Sequence, residues 1–239
     1  LAHTYRICPA EKIRIIPLGL DLKKFCEDRE QKRKAFREEY HIAEDEIAIG
    51  IIGRIVAVKN HELFVAAAAK VQAAAGKKVR FIIIGDGDMR QQMEAAFRDA
   101  DIDYTYHPDR PERATAVCTS WRTDMDTVLA GLDIIALTSH NEGTPVSLIE
   151  AQAAGKPVVS TRVGGVADVM LDNKSGVITE PGNASLMSAA LLRFVHEPAL
   201  RQQFGDQGHR HVMERYSYQR LVADTAAYYD QLLWAGKGG

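Results

Sequence analysis

Two hydrophobic periods take turns along this chain, and the exchange between them repeats. Short apolar runs rich in β-branched residues occur at Ile47–Gly53, Val79–Gly85 and Leu132–Thr138. Each is followed by turn residues and then by a stretch whose apolar positions recur every three or four residues, the mark of a strand feeding a helix. On this pattern strands are expected at 47–53, 79–85, 132–138, 157–160 and 176–179, with helices at 28–40, 61–75, 89–100 and 144–155. Gly76 and Gly155 stop two of these helices. A further strand is expected at Ile13–Leu18, ending in Gly19. Between 101 and 121 the rhythm weakens, and Tyr104–Tyr106 and Ala116–Cys118 read as two short strands around an irregular loop containing Pro108 and Pro111. Three amphipathic helical segments close the chain, the last from Ser217 to Trp234. Strands alternating with helices at this spacing predict an α/β fold, an open parallel sheet with helices on both faces and right-handed crossovers.

Composition narrows the function classes. At 239 residues and 46% hydrophobic, the chain can bury the core of one large α/β domain or two small ones. A net charge of −2 supplies no overall field for DNA, RNA or an anionic bilayer, so no nucleic-acid partner is expected. Cys8, Cys26 and Cys118 are odd in number, far apart and without ligand spacing, which points to reduced thiols, a cytoplasmic setting and no zinc site. The apolar runs fall short of the roughly 20 residues a membrane-spanning helix needs, and the first residues lack a signal-peptide pattern, so no transmembrane segment is expected.

The chemistry concentrates after the strands. Asn141-Glu142-Gly143-Thr144-Pro145 breaks off one apolar run and opens a helix through Val146 that carries Glu150, eight residues after Glu142. Ligands of open α/β sheets bind beyond the carboxyl ends of strands, where helix N-termini offer free N–H groups to anions, so this turn predicts a phosphate-bearing ligand. Glu142 can accept hydrogen bonds from sugar hydroxyls beside the backbone donors that Gly143 exposes. Glu150 sits among Leu148, Ile149, Ala151, Ala153 and Ala154, a costly neighbourhood for an unpaired charge. The plainer alternatives are a dipole-biasing Glu142 and an ion-paired Glu150.

A second turn, Gly53-Arg54 through Lys59, sets two cations beside the next helix, where they can grip a diphosphate; the alternative is a solvated turn. In the third, Gly85-Asp86-Gly87-Asp88, the glycines permit either close ligand approach or only a tight turn. Asp86 and Asp88 also raise a metal alternative, a D-x-D holding a divalent ion on a nucleotide diphosphate. Against it, they lead straight into a helix inside a run of regular βα units. His140 adjoins the acidic turn, while the other histidines form no ligand pattern. No nucleophile elbow, Walker loop or other covalent nucleophile is present.

Taken together, Ile13–Asp21, Gly53-Arg54 with Lys59, Gly85–Gly87, Glu142-Gly143 through Glu150, Ala153–Val159 and Gly164-Gly165 resemble, in order and spacing, the nucleotide-sugar-binding half of retaining GT-B glycosyltransferases of the family 4 type. The resemblance spans nearly the whole chain. It implies a Rossmann-like sheet forming one half of a GT-B architecture, with residues 1–12 a linker, 13–215 the donor domain and 216–239 a crossing helix and tail. It further implies that Arg54 and Lys59 hold the donor diphosphate and that Glu142, with the backbone from Gly143 through Thr144, Pro145 and Val146, contacts the sugar and distal phosphate. Glu150 would bind the ribose, and Gly85, Asp86, Gly87, Ser120 and Trp121 would line the base. Glu142, Arg54 and Lys59 would carry the catalytic contributions.

No metal or other cofactor is implied. The expected partners are a nucleotide sugar, with UDP favoured, a glycan or lipid-linked acceptor, and an acceptor-binding domain absent from this chain. Weak or no turnover by the chain alone is expected, as is a cytoplasmic location that includes the inner membrane face for a longer protein. Thr144-Pro145 stands where many relatives have Phe-Gly, Ser120 where they have glycine, and 103–116 is longer than a compact connection, which leaves sugar and base open. The competing functions are a sugar-nucleotide epimerase, a non-catalytic nucleotide-sugar sensor and an NAD-binding domain, the last disfavoured because neither glycine turn spells GxGxxG.

Overall fold

The computed structural model describes residues 9–76, 78–106 and 114–235. The chain divides into two compact units, a larger one from Lys23 to Val212 and a smaller one joining the described residues up to Leu22 with those from Met213 onward.

The larger unit is built on seven strands: β1 (Ile47–Ile52), β2 (Val79–Ile84), β3 (Tyr104–Tyr106), β4 (Ala116–Cys118), β5 (Ile134–Leu137), β6 (Val158–Thr161) and β7 (Gly176–Thr179). Their order is β3-β4-β2-β1-β5-β6-β7, and every pairing is parallel. The helices are α1 (Arg29–Glu39) before β1, then α2 (His61–Ala74), α3 (Arg90–Asp99), α4 (Met125–Gly131), α5 (Val146–Ala153) and α6 (Val166–Val169) between the strands, and α7 (Ala184–His196) and α8 (Pro198–Tyr216) after β7, with the end of α8 passing into the smaller unit.

Successive strand residues point to opposite faces, so a sheet covered on both sides needs runs that are apolar throughout. Ile49, Ile51, Phe81, Ile83, Ile134 and Ala136 join Phe64, Val71, Phe97, Met187, Leu191 and Phe194 of α2, α3 and α7 in one buried cluster. The intervening Ala48, Ile82 and Ile135 are equally buried but outside that cluster, as alternation to the opposite face requires. Cations close the ends of α4 and α5. Arg37 donates to Gly131 O (3.3 Å), Lys156 to Ala130 O (3.1 Å), and Arg29 to Ala154 O, placing positive charge on helix C-termini that carry the opposite partial charge.

In the smaller unit the expected strand at 13–18 does not form. Ile15 is 82% exposed, Pro17 has no amide proton, and residues 13 to 18 join no ladder, the nearby contact being an isolated bridge of Leu20 to Ser217. Arg220 instead ties the segment down by donating to Pro17 O and Leu18 O, each at 2.7 Å. The final helix, α9 (Tyr218–Ala235), exposes Val222, Tyr229, Leu232 and Leu233, while Tyr228 is half-buried. Two helices go beyond the sequence pattern, seven-residue α4 and four-residue α6, and the irregular loop expected around Pro108 and Pro111 lies outside the described residues.

Candidate functional site

In a parallel sheet all strands end on one rim, and the order here puts the loops after β4, β2, β1 and β5 side by side. The chain direction reverses its strand order between β1 and β5, which opens a crevice at that point.

The turn after β1 is held from two sides. Gly53 N donates to Ile84 O (3.0 Å), Ile55 N to Asp86 O (2.9 Å), and Met89 N to Ile55 O (2.9 Å), so the β1 and β2 turns form one backbone-bonded layer. Gly85, at φ +136°, allows the approach, since an added β-carbon would lie 2.9 Å from Gly53 C. From the other side, Thr138 Oγ1 donates to Lys59 O (3.0 Å) and His140 N to Val58 O (2.8 Å). Lys59 ends a short 3-10 turn, Ala57–Lys59, and its stem runs alongside Gly53. The Arg54 side chain is exposed and makes no ion pair or hydrogen bond among the described residues.

Lys59 Nζ reaches Glu142 Oε1 at 2.6 Å, joining the cationic turn to the acidic one across the crevice. Glu142 is nearly buried, its side chain 10% exposed, and the same Oε1 accepts the Ser139 hydroxyl at 2.6 Å. Its second oxygen has no partner among the described residues, nor do the amides of Gly143 and Thr144. Asn141, Gly143, Thr144 and Val146 are exposed, whereas Pro145 is buried at the N-cap of α5, where it removes one N–H from the ring of donors. The turn is braced from behind by Gly164 and Gly165. Gly165 N donates to Gly143 O (3.0 Å), and Gly164, at φ +46°, lies so close that an added β-carbon would sit 2.7 Å from Glu142 C.

Glu150 lies one turn into α5, half-buried, its carboxylate without hydrogen bond or ion pair among the described residues. Burial raises its pKa, and the charge of Lys24 partly opposes this. The residues expected to line the base meet at the other end of the rim. Gly85 N donates to Ser120 O (3.0 Å), and Trp121 follows with 59% of its surface exposed. Asp86 turns inward: its carboxylate accepts Gly87 N (2.8 Å) and the Ser120 hydroxyl (3.4 Å) and lies 3.7 Å from Arg90. It therefore shapes the turn. Among the described residues no cluster of three or more His, Cys, Asp or Glu side chains is arranged to hold a metal ion.

Behind the cationic turn, a cavity of about 170 Å³ is lined by residues that include Val56, Asn60, His61, Met89 and His140. His61 is 4% exposed, neither ring nitrogen has a partner, and burial with the charge of Lys59 lowers its pKa to about 4. Ser139 and Thr161 carried no motif in the sequence, and the bracing role of Gly164-Gly165 joins positions more than 20 residues apart. Only the polar end of the apolar run at Thr138-Ser139 signalled that hydroxyls stand at the rim.

The sequence model of the family described as "Glycosyl transferases group 1" matches residues 32–211. The chain belongs to that family. Among its curated relatives, this group 1 glycosyltransferase chain is 25% identical over 222 residues to the capsular polysaccharide biosynthesis glycosyltransferase CapM of Staphylococcus aureus, covering 92% of this chain and 54% of that protein. It is 26% identical over 191 residues to the UDP-Gal:alpha-D-GlcNAc-diphosphoundecaprenol alpha-1,3-galactosyltransferase of Escherichia coli, covering 79% of this chain and 46% of the relative. It thus spans about half the length of the curated relatives it matches. In fold it resembles the Anabaena protein HepE, crystallised with UDP-glucose, at a TM-score of 0.78 and 18% identity, over 93% of this chain and 58% of that one. The sheet is that of a Rossmann-like GT-B glycosyltransferase domain. No helix among the described residues is long and apolar enough to cross a membrane.

Proposed function

We propose that this chain is the donor-binding half of a retaining glycosyltransferase and that its donor is a UDP-sugar. The observation that carries the reading is the Lys59 to Glu142 contact that joins the two loops, with the unpartnered Arg54 side chain in the cationic loop and the open amides of Gly143 and Thr144 in the acidic one. Such a site is short of negative charge only while empty, and a diphosphate would sit against Arg54 and draw Lys59 from its carboxylate. Glu142, left with a free oxygen, would accept a sugar hydroxyl, and Glu150 the ribose hydroxyls. The UDP preference is supported by the donor in the name of the galactosyltransferase relative.

As the sugar leaves, Arg54, Lys59 and the amides at the mouth of α5 would stabilise the charge growing on the diphosphate, preorganised donors being the larger part of such catalysis. The departing phosphate oxygen would then take the acceptor's proton. No metal is required for this, and no cofactor is proposed. The acceptor, a glycan or lipid-linked sugar, would be bound by a further domain, and the exposed Tyr229, Leu232 and Leu233 of α9 are the face it would cover. The location would be cytoplasmic.

Calorimetric titration of UDP, GDP, ADP and their sugars into the chain tests the reading. Selective binding of one base, with uridine preferred, is expected, and equal indifference to every member contradicts it. A non-catalytic sensor would bind equally well but would show no sugar transfer once joined to its acceptor domain.

A further inference from the structure

At the end of β5 two adjacent hydroxyl residues hold the two halves of the site in different ways. Thr138 Oγ1 binds the main chain of the cationic loop at Lys59 O, whereas Ser139 Oγ binds the Glu142 carboxylate itself. Ser139 is completely buried, and its hydroxyl has no other partner among the described residues, so its proton is committed to Glu142 Oε1. The residue is fixed from behind as well, because Thr161 Oγ1 of β6 donates to Ser139 O at 2.7 Å. Thr161 in turn lies in a buried polar row, with Ser160 Oγ donating to Thr161 O (3.1 Å) and Thr179 Oγ1 to Ser160 O (3.4 Å).

Glu142 Oε1 therefore has two donors of unlike freedom. Lys59 brings its ammonium on a long flexible stem and is 24% exposed, while Ser139 offers one hydroxyl from a short side chain on a fixed backbone. A bound diphosphate competes for the lysine and cannot compete for the buried serine. Once Lys59 has left, the carboxylate has a single anchor, and without it Glu142 is free to follow the lysine or turn to solvent.

We infer that Ser139 is a positioning residue, which keeps the Glu142 carboxylate aimed at the donor sugar after Lys59 has turned to the diphosphate; the inference rests on the donor-site reading above. Ser139 touches no substrate. Its contribution is the direction of the free Glu142 oxygen, and so the added affinity for a nucleotide sugar over the bare nucleotide. A hydrogen bond to a charged group contributes enough that its loss corresponds to about a tenfold change.

The test is a set of crystal structures with UDP of the wild-type chain and Ser139→Ala, with Ser139→Cys as the near-isosteric variant should the alanine chain fold poorly. In the wild type, Lys59 Nζ is expected to leave Glu142 for the diphosphate while Ser139 Oγ stays within hydrogen-bond distance of the carboxylate. In Ser139→Ala with UDP, the carboxylate is expected to leave its place. A Glu142 unmoved in that variant, or a Ser139 contact broken in the wild-type complex, overturns the inference. In solution, Ser139→Ala should keep its UDP affinity within about threefold and lose about tenfold of its preference for UDP-glucose, UDP-galactose or UDP-N-acetylglucosamine over UDP, the loss expected for one hydrogen bond to a charged group. A preference unchanged from wild type counts against it. The wild-type arm reports separately on the donor site, since a wild-type chain that takes up no UDP removes that reading and this one with it.

Discussion

Gly164→Ala separates backbone strain from displacement of the site. Gly164 holds φ +46°, a left-handed conformation that costs an L-residue about 1–2 kcal/mol. Its added β-carbon would also sit 2.7 Å from Glu142 C and 3.1 Å from Glu142 N. Glu142 O would lie nearer still, and carbon atoms pack best at about 3.5–4.0 Å, so the Glu142 loop must retreat by at least roughly 1 Å. Gly182 is the natural control: it holds φ +74° in the turn before α7, and an added β-carbon would meet nothing within 4 Å. Gly182→Ala should therefore lose about 1–2 kcal/mol, which for a chain of this size lowers the melting temperature by roughly 2–8 °C, and Gly164→Ala should lose about 1–3 kcal/mol more for the displaced backbone. Only Gly164→Ala should lose binding, by about tenfold or more for UDP-sugars, because only there is the carboxylate moved against its ligand. Thermal melts and calorimetric titration of the two variants make the comparison. Gly164→Ala binding as well as Gly182→Ala would refute the bracing argument.

Three further outcomes follow from the same geometry. His61 has a folded pKa of about 4 against an ordinary 6.5, so the unfolded chain binds the extra proton first; its contribution is full above pH 6.5 and falls by about 3 kcal/mol as pH drops from 6.5 to 4, and the loss measured by urea unfolding between pH 7.5 and pH 4 should shrink by about that amount in His61→Leu. Arg37→Met leaves Asp133 and the carbonyls of Gly131, Ala43 and Glu46 without their buried guanidinium and should cost about 3–5 kcal/mol by urea unfolding, with a loss under 1 kcal/mol counting against the structural role. Trp121→Ala should leave stability within about 0.5 kcal/mol, as exposed positions do, yet weaken UDP about tenfold if the indole stacks on the base; unchanged affinity would remove Trp121 from the site.

The central strands were legible because a parallel sheet buried on both faces needs nearly unbroken apolar runs, and β1 and β5 show them, as does β2 apart from Arg80. Ile13–Leu18 mimics one, yet propensity lacks a neighbour to pair with there, and Pro17 and the exposed Ile15 mark what the pattern could not weigh. The helix α4 escaped notice because seven residues give too few turns for a period to show, and α6 is shorter still. In the site, the spacing of Glu142 and Glu150 and the Gly53–Lys59 turn stood out as chemistry on loops after strands. The Lys59 to Glu142 pair, the Ser139 anchor and the Gly164-Gly165 brace did not, since each depends on which strands are neighbours in the sheet. Asp86 illustrates the same limit: a carboxylate in a glycine turn suggests a ligand, and here it is occupied by Gly87 N and Ser120.

The most direct measurement of the donor-site account is calorimetric titration of UDP and of uridine into the wild type, Arg54→Ala and Glu150→Ala. Arg54→Ala should weaken UDP by about tenfold or more and leave uridine untouched, because the guanidinium serves the diphosphate, while Glu150→Ala should weaken both through the ribose. Wild-type affinity for UDP in Arg54→Ala, or for both ligands in Glu150→Ala, would contradict the account.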